Sequence, residues 1–336
     1  MLLLTFTAIS PIAVAQEKGK NGADKGGAAD KDGKSTADKG AKTAPAGQKG
    51  AATTGKKGDP LDLKLNTSDG QIHATYFEST AGKESPAVIL LTSTDGPEKK
   101  DARNRRIWLP TAQALQKNGF AVMTVDLRKH GDSVPAGEEA VAKLKTAVND
   151  YPLMAAADLE AVKAYLLDEH HAEKLNIRKL AIVSMGSSSM VAAAFAVADW
   201  AKEPYPDAPS IPQRTPRGQD VQALVMYSPH SNVKGLNLSA ITKVLKPLPV
   251  AIYIVSSSAN KDDARNADKI YKAVDLKDEK YKESRKFTSI AKDVRAEGFL
   301  EGEYAEATKK DIVDFLTKNV KELPSPWVER IDRRQQ

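Results

Sequence analysis

The stretch Gly119-Phe120-Ala121-Val122-Met123-Thr124-Val125-Asp126-Leu127-Arg128-Lys129-His130-Gly131-Asp132-Ser133 contains a run, 121–127, that is apolar except at Thr124 and Asp126. A run this short, bounded by Gly119 and Gly131, reads as a strand buried on both faces rather than as a helix. A strand without a polar face must be covered on both sides, which calls for a parallel sheet layered with helices. Working outward, similar runs occupy 61–65, 72–77, 87–92, 180–183, 221–227, 250–255 and 287–290. Helical 3.6-residue patterns occupy 101–118, 152–171, 188–200, 263–274 and 304–319. The expected class is α/β, a mostly parallel eight-stranded sheet with helices on both faces. Ser68-Asp69-Gly70 joins the first two runs into an antiparallel hairpin on one edge. Residues 59–322 suffice for one such domain, which leaves 323–336 as a C-terminal tail. No internal repeat is visible.

The chain has 336 residues, no cysteine and a formal charge of +6. Absence of cysteine excludes a disulfide scaffold, a thiolate nucleophile and Cys-ligated zinc or iron–sulfur centres. No apolar run approaches the roughly 20 residues of a membrane-spanning helix. Residues 16–58 hold 10 Lys and 5 acidic residues, so they carry five of the six net charges and the rest of the chain is close to neutral. No basic stripe interleaved with aromatics remains for nucleic acid, and nucleic acid is not an expected partner.

Residues 1–15 read as a secretory signal peptide, Leu2-Leu3-Leu4-Thr5-Phe6 opening an apolar region and Ala13-Val14-Ala15 closing on a cleavage site. A positive n-region is missing. Export to the periplasm or the medium is expected. Residues 16–58 contain 10 Gly and 9 Ala but no Val, Ile, Leu, Phe, Tyr or Trp. Nothing there can be buried to offset ordering, so a disordered linker is expected. Its lysines suit weak contact with an anionic envelope surface.

With its flanking elements, 119–133 resembles the fourth strand and following turn of the α/β-hydrolase superfamily, a pattern written GyxVxxxDxRGHGxS. Asp158 and Ala161 sit as in that family's helix before the nucleophile strand, and Ser228-Pro229 follows the sixth strand as in many members. Pro249 introduces a seventh strand and Phe315-Leu316 lie on a final helix, so the resemblance spans about 60–322.

The resemblance implies a Ser–His–acid triad at three places, and each reads differently here. A nucleophile elbow needs small residues two before and two after the nucleophile. In Ser184-Met185-Gly186-Ser187-Ser188 that spacing puts Ser184 and Ser188 at the small positions and Gly186 at the nucleophile. A shifted register makes Ser184 the nucleophile but places bulky Ile182 where a small residue is required. The acid position after the seventh strand falls at Ser258; Asp262 and Asp263, further on, read as the N-cap and first turn of a helix. The His position after the eighth strand is Glu297-Gly298, and the five histidines, His73, His130, His170, His171 and His230, all precede it. The oxyanion region implied after the third strand carries Thr92 and Ser93, facing Ser187 and Ser188.

The reading that follows is a degenerate, catalytically inactive member that binds a small-molecule or peptide ligand at the former active-site cleft. Strand ends gather at one rim, which also allows a rewired site of Ser187 and His230 with Asp126 or Glu297 as orienter. The alternative is therefore an unorthodox serine hydrolase of esterase or peptidase type using Ser184 or Ser187. A third reading makes the chain an envelope-associated protein that contacts through its basic tail. His130 reads otherwise as a turn residue, and His170-His171 as cations at a helix C-terminus. Adjacent histidines without an i+4 partner are not a metal site, and no Walker A pattern occurs, so neither metal nor cofactor is expected. Trp108, Trp200 and Trp327 are too scattered for a ligand box. The proline-rich loop 201–219 is expected to cover part of the cleft.

Overall fold

The computed structural model describes residues 58–94, 104–134 and 146–335. The expected signal peptide and all but the last residue of the expected linker lie outside the described residues.

All eight apolar runs form strands of one sheet: β1 (Leu61–Asn66), β2 (Gln71–Phe77), β3 (Pro86–Leu91), β4 (Ala121–Asp126), β5 (Asn176–Met185), β6 (Val221–Tyr227), β7 (Ala251–Ser257) and β8 (Arg285–Ile290). The spatial order is β1-β2-β4-β3-β5-β6-β7-β8. The β1–β2 hairpin is antiparallel and pairs antiparallel with β4; every pairing from β4 to β8 is parallel. Between strands run α1 (Leu109–Lys117), α2 (Leu159–His171), α3 (Ser188–Trp200), α4 (Leu238–Leu245) and α5 (Lys261–Val274), and α6 (Ala305–Leu316) follows β8. The eight-residue α4 escaped the sequence reading; its signal is Asn237, whose side chain accepts from Ala240 N at its start. The pattern at 152–171 is not one regular helix: Asp150–Leu153 leads through a π-turn, Met154–Asp158, into α2.

Period-2 alternation splits the strands between two cores. Ile89, Leu91, Met123, Val125, Ile182 and Ile254 pack beneath α2, α3 and α5, while Val88, Leu90, Val122, Val183, Val225 and Tyr253 pack beneath α1 and α6. Burying one such side chain stabilises the fold by about 1.5–3 kcal/mol before entropy is charged.

The 119–133 stretch fastens the hairpin edge. Asp126 is fully buried; its carboxylate accepts from Arg105 N at 2.6 Å and pairs with the buried Arg105 guanidinium at 2.5 Å. Gly131 has φ +50, and a Cβ there would stand 2.3 Å from the Asp126 carboxylate, so no larger residue fits the turn. Ser133 Oγ donates to the Asp126 carbonyl and accepts from His73 N on β2. Arg128 clamps Asp158 of the π-turn and Asp69 of the hairpin turn.

At the opposite rim, where the parallel strands begin, lie residues 201–219 and 323–335. The proline-rich loop joins the end of α3 to the start of β6, so its expected place over the cleft is overturned by its connectivity. Arg330 is buried and donates to Pro216 O, Gly218 O and both carboxylate oxygens of Asp220. Lys163 of α2 pairs with Asp199 and Asp220 in the same buried group. The Trp327 ring packs 5.0 Å from His170, with Trp327 Nε1 donating to His170 O.

His170 is therefore not a helix-terminal cation. It is fully buried, its Nε2 lies 2.9 Å from Val328 O and its Nδ1 can accept from Ile177 N. Burial holds its pKa below the ordinary His value, outweighing the Val328 and Leu175 carbonyls that favour the proton. The folded chain keeps the ring neutral while the unfolded chain takes the proton first. This contribution to stability is complete above roughly pH 6.5 and is lost as pH falls below it towards the folded-state pKa. Between about pH 7.5 and 5.5 the urea midpoint is expected to fall further for the native chain than for His170→Gln. Equal falls would show that His170 contributes no pH dependence.

Candidate functional site

The end of β5 supplies the centre of the site. Gly186 turns the chain at φ +56, Ser187 stands at the N-cap position of α3 without a side-chain capping bond, and the helix runs from Ser188. The turn is locked to the end of β6: Gly186 N donates to Tyr227 O at 3.0 Å and His230 N donates to Gly186 O at 3.3 Å. Ser184 is fully buried, with its Oγ donating to Val225 O. Ser188 is also fully buried and donates to Met185 O. Both act as small, internally bonded residues around the turn. Ser187 differs: its Oγ lies 3.3 Å from Nδ1 of the half-buried His230.

Strand register places the other components. Leu91 of β3 pairs with Ser184 of β5, so Ser93 is level with Gly186 one strand over. Ser93 N donates to Glu297 Oε1 at 2.6 Å. Glu297 lies on a short 3-10 turn, Ala296–Leu300, after β8. This turn is fixed at β6, where Ala296 N donates to Ser228 Oγ at 3.0 Å. Because β5 lies between β3 and β6, the Ser93 N–Glu297 bond and the Ala296 N–Ser228 bond fall on either side of the strand that ends at the Gly186 turn.

Ser228 and Ala296 both have positive φ, +48 and +44. Left-handed backbone is strained for residues with a Cβ and persists where surrounding bonds impose it. Here Ser228 Oγ also donates to Asp263 Oδ2 at 3.2 Å, and Asp263 accepts from Ser257 N at 2.6 Å. Burial raises the Asp263 pKa, against the pull of Ser257 N–H, Ser228 and the charges of Arg295 and His230. Asp262 and Asp263 both stand in the first turn of α5, where the sequence predicts a cap and a first-turn residue, but neither is the cap. Asn260 is the cap, accepting from Asp263 N, and this frees the Asp263 carboxylate to tie β6, β7 and the 296–300 turn together. The available signal was the three-residue spacing from Asn260 to Asp263.

Ser258 is exposed, and its N and Oγ both donate to Ile290 O, extending the β7–β8 ladder. Asp126 stays with Arg105: β3 and β5 separate β4 from β6, about 14 Å at ~4.8 Å per strand, too far to orient His230. His130 is buried, with Nδ1 2.7 Å from Arg128 O. Thr92 and Ser93 are buried at the rim. A cavity of about 640 Å³ opens on the hairpin side instead, lined by His73, Arg128, Lys129, Asp132, Asp150 and Asp158. Arg128 and Lys129 there are paired with Asp158, Asp69 and Asp150, so the chemistry-bearing residues and this cavity do not coincide. Among the described residues no cluster of three or more His, Asp or Glu side chains forms a metal site, and no helix is long and apolar enough to cross a membrane.

No family model and no curated protein matches the chain. Solved structures do. A dienelactone hydrolase from Anabaena variabilis matches with a TM-score of 0.52 at 11% identity, covering 79% of this chain and 100% of its own. An esterase from Pyrococcus furiosus matches with a TM-score of 0.53 at 15% identity, covering 78% of this chain and 91% of its own. An α/β hydrolase from a Penicillium species gives a TM-score of 0.53 at 15% identity over 78% and 99%. The chain has the α/β-hydrolase fold. At these identities the likeness carries architecture and not activity.

Gly186→Ala is expected to lower stability by about 1–2 kcal/mol, the cost of left-handed backbone for a residue with a Cβ. A urea titration of the full chain checks it; an unchanged midpoint would show that the turn relaxes out of φ +56.

Proposed function

We propose that this α/β-hydrolase-fold chain binds a small-molecule or peptide ligand over the β5–α3 turn and does not hydrolyse it by a Ser–His–acid triad. The observation that carries this reading is that the turn holds Gly186 while the Glu297 carboxylate is bonded to Ser93 N–H at the neighbouring strand end. The fold's nucleophile position supplies a hydroxyl that attacks and an imidazole that takes its proton. Glycine supplies no hydroxyl. A carboxylate seated on Ser93 N–H occupies a backbone donor that would otherwise meet a developing oxyanion, and it opposes negative charge there. Ser258, exposed and bonded to Ile290 O, supplies no acid.

One observation favours a second reading, a serine hydrolase of esterase or peptidase type with Ser187 as nucleophile and His230 as base. Their 3.3 Å contact is long for an activated pair, but such contacts commonly tighten when substrate binds. Ser184, fully buried and bonded to Val225 O, is not carried into this reading. We also propose export directed by residues 1–15, and weak contact of the lysine-rich 16–58 segment with anionic envelope surfaces.

Treating the full chain with a fluorophosphonate and mapping adducts by mass spectrometry separates the first two readings. No adduct at any serine is expected. Stoichiometric labelling of Ser187 that disappears in His230→Ala would overturn the binding reading and establish the second. Removing residues 16–57 is expected to reduce co-sedimentation with an anionic polymer by several-fold at low salt and hardly at all at high salt. Unchanged co-sedimentation at low salt would dismiss the envelope contact.

A further inference from the structure

The cavity of about 640 Å³ beside the β1–β2 hairpin is separate from the β5–α3 turn, and most of its charged wall is already committed. Arg128 spends its guanidinium on Asp158 and Asp69, and Asp132 is bonded to Arg105 and Arg106. The ion pair of Lys129 and Asp150, both of which line the cavity, differs. Asp150 is only 7% exposed, yet its bonds from Lys129 Nζ at 2.8 Å and from Ala147 N both end on Oδ2. Among the described residues no hydrogen bond reaches Asp150 Oδ1. Lys129 is about a third exposed, and one of its three N–H donors meets Asp150. The pair therefore offers the cavity one acceptor and two donors.

We propose that this cavity binds a neutral saccharide, independently of any ligand at the β5–α3 turn, with a vicinal diol laid across the Lys129–Asp150 pair. A ligand ammonium at Asp150 Oδ1 would share its carboxylate with Lys129 and be repelled by it. A ligand carboxylate at Lys129 Nζ would be repelled by Asp150 and by the other acids of the wall. A diol meets neither obstacle: one hydroxyl donates to Oδ1 and its neighbour accepts from Nζ. Both bonds have a charged partner, which makes them roughly twice as strong as bonds between neutral groups, and the ligand brings no charge of its own. Leu153 and the His73 ring line the same cavity and offer apolar surface to the C–H face of a sugar ring. Burial and the charge of Arg105 hold the His73 pKa below the ordinary His value, so that ring is neutral at pH 7. The volume falls in the range of roughly 300–1,000 Å³ usual for small-molecule pockets.

The test follows the Leu153 methyl and His73 ring resonances of the full chain by nuclear magnetic resonance. Glucose, galactose or mannose is added, with ethylammonium and acetate as the minimal cation and anion. At least one sugar is expected to shift both residues to saturation, and neither ion is expected to do so at the same concentration. Lys129→Met removes the donors while keeping the Cβ and the φ +64 backbone of that position, and Asp150→Ala removes the acceptor. Each variant is expected to need at least ten times more sugar. No shift with any of the three sugars, an unchanged titration in Lys129→Met, or saturation of the native chain by either ion would overturn the assignment. If Asp150→Ala does not fold, Lys129→Met alone decides by the same criterion. The polymer of whichever sugar binds (dextran, galactan or mannan) then separates the sources: the same shift marks a sugar unit within a glycan, and no shift marks a free sugar.

Discussion

A parallel sheet covered by helices on both faces has no polar side, and that constraint governs the rest of this molecule. From β3 to β7 nearly every side chain is buried, so charged groups and unpaired backbone donors enter only at the strand ends. The parallel strands all run the same way, which gathers their C-terminal ends at one rim. Gly186, Ser93, Ser228, Asp263 and His230 are neighbours for that reason, although they come from four separate parts of the chain. The opposite rim receives the other class of polar group, the buried Lys163, Asp199, Asp220 and Arg330, which hold residues 323–335 against the domain.

The same constraint explains what the most recognisable stretch of sequence does in the fold. Residues 126–133 must turn the chain out of a fully buried strand while leaving no buried polar group unmet. Asp126 meets Arg105, Arg128 meets Asp158, Ser133 closes on Asp126 O and on β2, and Gly131 leaves room for the carboxylate. Breaking one partner of a buried pair costs more than the pair contributes, because the other charge is left uncompensated. The network is a fastening for the antiparallel edge, two strands away from the site.

At the site, local geometry and side-chain chemistry separate. The left-handed turn at Gly186, its anchoring to β6 and the Ser93 donor after β3 are in place, and Ser258 and Glu297 follow β7 and β8. A positive φ at Gly186 costs glycine little. The residues that do carry strain, Ser228 and Ala296, are committed to holding the turn that carries Glu297 at the end of β6.

The sequence by itself determined the eight strands and the fold class, and all the longer helices. Eight apolar runs and the change from period 2 to period 3.6 are local signals, set by which faces each segment must bury, and all eight strands fall where those runs lie. The sequence also offered candidates, Gly186 from elbow spacing, Glu297 from the absence of a late histidine, Ser187 and His230 from their place at strand ends, and the structure sets all four near the C-terminal rim of the sheet. Tertiary structure decided what these residues touch. No local pattern states that Glu297 reaches Ser93, that Asp263 turns back from the first turn of α5 to Ser228, or that Ser187 lies beside His230 while Asp126 lies beside Arg105. Nor could local pattern tell that His170 is buried and neutral, or that residues 201–219 lie at the far rim. Those outcomes depend on strand order and on the end of the sheet at which each loop emerges, and both are properties of the assembled sheet.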